Sequence, residues 1–309
     1  MRKSTKIAYL STICVIIVRR NGGSMNKFCI IANRDKDEDL TITNKMIEFL
    51  EANGKEVYIT EESCLEGSYT DASRIPDDVE CAIVVGGDGT ILQAAHDLLR
   101  LDIPFLGVNL GTLGFLAEIE VITMEQAFSD LFLDKYSIES RMMLDASVWK
   151  EDHSLCSIDV SAINDVVITR SGFSRIIGVS ILINGEVVQN YRGDGVIIST
   201  PTGSTGYNLS AGGPIVTPKA EMILITPICP HSLNARSIIV TSEDIVEIQI
   251  RESKKTQEEE AIVTVDGSYS MKLQANDRIL IKKAKETVKL VRLEGHSFFH
   301  LLRTKFGDK

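Results

Sequence analysis

The run Cys81-Ala82-Ile83-Val84-Val85-Gly86-Gly87-Asp88-Gly89-Thr90, followed by Ile91, Leu92, Ala95, Leu98 and Leu99, leaves this chain little choice of local structure. A short apolar stretch rich in β-branched residues predicts a buried strand, and the later spacing predicts a helix. In an open α/β sheet, ligands gather at the C-terminal ends of such strands. Three glycines surround one carboxylate there. Glycine lets backbone N–H groups approach a phosphate closely, and the helix N-terminus adds partial positive charge. An aspartate in such a cradle repels a phosphate unless a metal ion offsets the charge or the carboxylate takes a proton from an attacking hydroxyl. A plain tight turn with Asp88 capping the helix accounts for the same residues. The rest of the chain has to discriminate.

With 309 residues, 44% hydrophobic and 25% charged, the chain is globular and long enough for two domains. Its net charge of -10 argues against nucleic-acid and membrane partners, which select clustered Lys and Arg. Any anionic ligand must therefore be held locally. Six cysteines (14, 29, 64, 81, 156 and 229) are scattered without a C-x-x-C pair, which predicts reduced thiols and a cytoplasmic protein. Residues 1–24 carry Met1-Arg2-Lys3 and an apolar-leaning run at 7–18, but no small-residue cleavage site, and the run is too short to span a bilayer. Because Met25 directly precedes a well-formed strand, residues 1–24 read as an N-terminal extension outside the fold.

From 27 to 32 a strand leads into the charged turn Asn33-Arg34-Asp35, and Leu40, Met46, Ile47 and Leu50 then fall at helical spacing up to Gly54. Further strands are expected at 57–60 and 103–108, and a further helix over Met124, Ala127, Phe128, Leu131 and Phe132. This alternation predicts an α/β N-terminal domain, residues 25–135, with a doubly wound, mostly parallel sheet. A second glycine-rich loop, 107–116, follows the strand at 103–108, so two loops flank one cleft. Residues 136–292 predict an all-β, sandwich-like domain. Its strands fall at 166–169, 196–199, 223–226, 238–240, 246–250, 262–265, 279–282 and 288–292, with a hairpin over 180–188 turning at Asn184-Gly185. The charge run 251–260 reads as a solvated hairpin tip, and a Ser297-capped helix through Phe298, Phe299, Leu301 and Leu302 predicts that 293–309 packs back onto the first domain.

Inside the β domain, residues 192–214 concentrate glycines and small hydroxyls: Arg192-Gly193-Asp194-Gly195, then Thr200-Pro201-Thr202-Gly203-Ser204-Thr205-Gly206-Tyr207-Asn208-Leu209-Ser210 and Gly212-Gly213-Pro214. A turn-rich connection uses such residues for shape, yet so many neutral donors beside a Tyr face suit a ligand with hydroxyls, amides and rings, such as a nucleotide.

Taken together with Asn164-Asp165, Thr226-Pro227 and Val265-Asp266-Gly267, these segments resemble the NAD kinases, in order, from Met25 to the end. The Gly86 to Thr90 motif alone is shared with diacylglycerol and sphingosine kinases; the Thr-Pro-Thr-Gly-Ser-Thr-x-Tyr segment is much more selective. The resemblance implies transfer of a phosphoryl group from ATP to the adenosine 2′-hydroxyl of NAD, with Asp88 as base. It implies an NAD site of Asp88, Gly89, Asn164, Asp165, Thr205, Gly206, Tyr207, Asn208, Leu209 and Ser210. Arg175, Arg192 and Asp194 would approach that site from a neighbouring subunit of a homo-oligomer, a dimer or tetramer. Gly86, Gly87, Gly89 and Thr90 would hold the ATP phosphates. The family usually has Asn-Glu where this chain has Asn164-Asp165, and Ala where it has Gly206; Ser268 stands where many members have Gln and is not assigned. No protein metal cage is evident, so a divalent ion, Mg²⁺, is expected to arrive with ATP. His231 and His296 read as structural histidines. A lipid kinase sharing the glycine loop and a non-catalytic NAD-binding regulator are the competing readings.

Overall fold

A computed structural model describes residues 25–60, 70–111, 114–171, 176–251, 261–295 and 297–307. Residues 1–24, Arg175, His296 and the charged tip at 252–260 lie outside the described residues.

Period-two patterning builds the first half. In β1 (Lys27–Ala32), Phe28 and Ile30 face one core while Cys29 and Ile31 face another. α1 (Thr41–Ala52) sets Met46 and Leu50 against the first of these, and β2 (Glu56–Ile59) pairs in parallel with β1. β3 (Cys81–Gly86) alternates in the same way, and α2 (Asp88–Asp97) covers the opposite face with Ile91, Ala94 and Ala95. β4 (Phe105–Asn109), β5 (Ile119–Glu120) and α3 (Met124–Phe132) complete the unit, with Phe128 and Leu131 fully buried beside α1. The strand order β4-β3-β1-β2, with helices on both faces, is the doubly wound arrangement expected from the sequence.

The second half begins with β6 (Tyr136–Trp149) and β7 (Leu155–Ser157). β8 (Asp165–Arg170), β9 (Ile177–Ile183), β10 (Glu186–Gly193) and β11 (Gly195–Ser199) follow. After the single turn α4 (Tyr207–Ser210) come β12 (Met222–Ile228), β13 (Ile238–Thr241), β14 (Val246–Arg251), β15 (Ala261–Val265), β16 (Tyr269–Leu273) and β17 (Arg278–Leu293). Among the described residues, β13-β12-β11-β8-β15-β16 form an antiparallel sheet. It packs against β9, β14, β6 and the start of β17 through one core that includes Val166, Ile168, Ile198, Ile225, Ile248 and Ile281. The hairpin expected at Asn184-Gly185 is present, and both residues have positive φ (52° and 84°), as a two-residue turn requires.

One sequence expectation needs correcting, and one element had none. The strands expected at 279–282 and 288–292 are one strand, β17, whose register against β6 shifts between Lys283 and Thr287. The polar run Lys282-Lys283 and Lys285-Glu286 marks that bulge. β6 itself had no sequence counterpart because a buried guanidinium, Arg141, interrupts its apolar alternation. β17 joins the halves: β6 lines one edge throughout, while the other edge pairs with β14 at 278–281 and then, at Leu290, in parallel with Phe105 of β4. Finally α5 (Phe298–Phe306), capped by Ser297, returns to the first half, where Phe298 and Phe306 meet the ring of Phe115.

Candidate active site

The glycine turn after β3 has a stereochemical cause. A Cβ on Gly86 would lie 2.4 Å from Thr90 Oγ1, so glycine is needed for Thr90 to fold back. There Thr90 Oγ1 accepts from Asn33 Nδ2 at 2.9 Å and from the Gly87 amide at 3.4 Å. Gly87, not Asp88, is the N-cap of α2. The Asp88 carboxylate instead crosses to the second glycine loop, where it accepts the backbone N–H groups of Phe115 (2.7 Å), Leu116 (3.1 Å) and Ala117 (3.4 Å). A Cβ on Gly114 would lie 1.9 Å from Asp88 Oδ1, so that glycine makes room for the carboxylate. The plain-turn reading of Asp88 fails here: this side chain ties two strand-end loops together. The Leu110 amide donates to Gly86 O at 2.9 Å, closing the floor between them.

Behind the Phe115 turn lies a buried ionic network. Arg292 pairs with Glu118 and reaches the carbonyl of Phe115 (3.5 Å), while Glu118 also accepts from the Leu293 amide (2.9 Å). Arg141 pairs with Glu139 at 3.1 Å and donates to Thr202 Oγ1 at 3.3 Å. Burial, and then the neighbouring Arg292, lower its guanidinium to about 10. In front of the turn, Lys305 of α5 sits 5.0 Å over the Phe115 ring.

The turn Ile163-Asn164-Asp165 is held in the same manner. Asp266, at φ 46°, accepts the amides of Ile163 (2.7 Å), Asn164 (2.9 Å) and Asp165 (2.9 Å). Its Oδ2 also meets His96 Nε2 of α2 at 2.9 Å, in a contact almost closed to solvent. Asp165 is only 7% exposed, and burial together with the charge of Asp266 pushes its carboxyl up to about 7.

The hydroxyl-rich segment mostly supports itself. Thr200 donates to Ile163 O (2.6 Å), Ser199 to Asn164 O (3.2 Å), and Ser204 to Pro201 O (2.7 Å) and Val216 O (3.1 Å). Asn208 is fully buried, with its amide committed to the carbonyls of Ser204 and Pro214 and to the Thr226 hydroxyl. Exposure remains at Tyr207 (46%) and Ser210, and partly at Thr205, Gly206 and Leu209. The Thr205 to Ser210 turn adjoins Asn164, whose Nδ2 lies 3.9 Å from where a Cβ on Gly206 would stand, and α2 links this side to Asp88 through His96 and Asp266. Asp194 does not join Asp165 within this chain. Asp194 pairs with Arg170 at 2.8 Å, and the β8–β11 register puts Gly195 opposite Thr169 while Ser199 faces Asp165. That separates Asp194 from Asp165 by the length of a strand, roughly 15 Å.

Sequence reasoning missed Gly114, Asp266 and His96 as parts of the site. Gly114 was visible as a glycine in a strand-end loop, and Asp266 as Asp-Gly after a strand; nothing distinguished His96. Among the described residues, no group of three or more His, Cys, Asp or Glu side chains is arranged to hold a metal ion.

Comparisons with known proteins fall in with this geometry. Residues 28–136 match the ATP-NAD kinase N-terminal domain and residues 163–293 the ATP-NAD kinase C-terminal domain. A protein of Lachnoclostridium phytofermentans named NAD kinase is 88% identical over 285 residues, 92% of this chain and 100% of the relative. One of Lachnospira eligens with the same name is 42% identical over 294 residues, covering 91% and 100%. Among solved structures, yeast NADH kinase complexed with NADH aligns with TM-score 0.77 and 25% identity over 93% of this chain and 89% of that one. An NAD kinase from Archaeoglobus fulgidus in complex with ATP has the same fold, with TM-score 0.72 at 24% identity over 90% and 98%.

Proposed function

The chain belongs to the NAD kinase family, and from that membership we propose how its residues share the reaction it catalyses, transfer of the γ-phosphoryl group of ATP to the adenosine 2′-hydroxyl of NAD. The observation that carries the assignment is the Asp88 carboxylate, held by three successive amides between two glycine loops at the C-terminal edge of a parallel sheet. The 2′-oxygen attacks the γ-phosphorus, the bond to the β,γ-bridging oxygen breaks, and ADP leaves with the electron pair. Asp88 accepts the hydroxyl proton. Phosphoryl transfer passes through a loose transition state in most analyses, so a fixed carboxylate that orients the hydroxyl serves the reaction mainly by position.

Gly86, Gly87, Gly89 and Thr90 cradle the ATP phosphates. Acting on ATP calls for a divalent metal ion; we assign Mg²⁺, carried in on the phosphates. On the NAD side, Asn164 and Asp165 receive ribose and adenine groups, and Thr205, Gly206, Tyr207, Leu209 and Ser210 line the pocket, with Asn208 as support beneath. Asp194, a strand's length from Asp165, serves the site of a neighbouring subunit together with Arg192 and Arg175. That makes the working form a homo-oligomer, testable by light scattering. We assign it to the cytoplasm. Residues 25–135 act as the ATP half and 136–292 as the NAD half, with 293–309 returning to the first. A lipid kinase or a non-catalytic NAD binder is not favoured, because both halves of the chain match the family.

A coupled assay with ATP and NAD tests the reading. In it, Asp88→Asn should lose most turnover, since an amide cannot accept the proton; its nitrogen would also face the Phe115 amide or those of Leu116 and Ala117, so NAD binding and a thermal melt are measured alongside to separate the lost base from a loosened turn. Retention of more than about a tenth of the wild-type kcat would remove Asp88 from the role of base.

A further inference from the structure

We propose that Lys36 is a catalytic residue: its ammonium contacts the β- and γ-phosphates of ATP over Gly87 and neutralises charge as the phosphoryl group transfers. The inference rests on the reading of residues 86–90 as the phosphate loop. Three observations carry it. First, a Cβ on Gly87 would lie 2.8 Å from Lys36 Nζ, so the amine occupies the space that the glycine leaves open at the N-cap of α2. Second, the loop that delivers it is fixed. Asn33 donates its amide to Val85 O at 2.9 Å and its side chain to Thr90, while the amides of Lys36 and Asp37 both return to Asn33 O at 3.1 and 3.0 Å. Asp37, the next residue, is committed to the start of α1 through the Ile42 and Thr43 amides and the Thr43 hydroxyl.

Third, Lys36 makes no ion pair among the described residues, whereas other cations around this half are engaged elsewhere. Lys27 pairs with Glu56 and Asp78, Arg74 with Asp71, Lys135 with Asp130, and Lys289 with Asp102. A polyphosphate entering a loop that already holds the Asp88 carboxylate needs local positive charge, more so in a chain of net charge -10. A lysine supplies a compact, mobile point charge suited to phosphate. The ends of three adjacent strands thus converge on ATP: β1 brings the cation, β3 the glycine cradle, and β4 the amide turn that holds the carboxylate.

The test compares wild type, Lys36→Met and Lys36→Arg in steady state with MgATP and NAD varied separately. Isothermal titration with Mg²⁺ and a non-hydrolysable ATP analogue accompanies the kinetics. Lys36→Met should lower kcat/KM for ATP by about 100-fold, leave KM for NAD within about twofold, and weaken analogue binding, while Lys36→Arg recovers much of the loss. Since the side chain is exposed, a thermal melt should match wild type. A folded Lys36→Met protein with unaltered kcat/KM for ATP and unaltered analogue affinity would overturn the proposal, as would equal losses towards both substrates. A wild type inactive on NAD would count against the phosphate-loop reading, and analogue affinity would still decide for or against Lys36.

Discussion

Asp165 carries the clearest electrostatic consequence at the scale of single residues. Its carboxyl titrates near 7, raised first by burial and then by Asp266, against about 3.9 in an unfolded chain. With the folded pKa above the unfolded one, the folded state holds the proton more tightly across that window. Stability at this group is greatest below about pH 4 and falls as the pH rises towards 7. Ribose hydroxyls donate to the ionised form, so on the proposed assignment NAD binding strengthens over the upper part of the same window. We expect kcat/KM for NAD to rise through an ionisation near pH 7 in wild type, and that step to vanish in Asp165→Asn. A wild-type profile with no such step would separate Asp165 from the ligand. Asp88 was legible in the sequence because a carboxylate among glycines demands a chemical explanation. Its anchorage was not, since Phe115, Leu116 and Ala117 contribute backbone amides, which no residue type advertises. The hydroxyls of Ser199, Thr200 and Ser204 donate to carbonyls of the turns around them, a use that residue type does not announce either.

Among the elements, α2 matters most, because Asp88 stands at its first turn and His96 two turns on, about 12 Å along its axis. His96 reaches Asp266, and Asp266 holds the amides of Ile163, Asn164 and Asp165, so one helix links the Gly86 to Thr90 turn to the 163–165 turn. In Asp266→Asn the amide nitrogen would face either the Ile163 N–H or the Asn164 and Asp165 amides, which have no lone pair to offer it. The expected result is a KM for NAD raised about tenfold with KM for ATP little changed, and a loss of about 2–4 kcal/mol in urea unfolding. Lost stability with an unmoved KM for NAD would reduce Asp266 to a structural residue. The helical period over Ile91, Ala94, Ala95 and Leu98 made α2 readable, but its distant partner was 170 residues away in sequence and invisible to any local pattern. β6 escaped notice for a related reason: Arg141 is buried on it because Glu139 and Thr202 receive it there, and that compensation is tertiary.

For the molecule as a whole, β17 decides how the halves behave mechanically. Because its edges pair with β14, β6 and β4, separating the halves means breaking a continuous sheet rather than opening a linker. We therefore expect one cooperative unfolding transition. Trp149, on β6, reports the β half by fluorescence, and helical circular dichroism reports α1, α2 and α3; the two curves should coincide. Two resolved midpoints would show that the sheet does not couple them. The sequence announced a change of patterning near residue 136, and across that divide Leu290 pairs in parallel with Phe105. That contact bears on inheritance by recombination. An exchange of the first half with a distant relative would graft a foreign β4 against the native β17, and a native α5 against a foreign Phe115 turn. The seam for a viable chimaera therefore runs through two places at once, before β6 and again within β17.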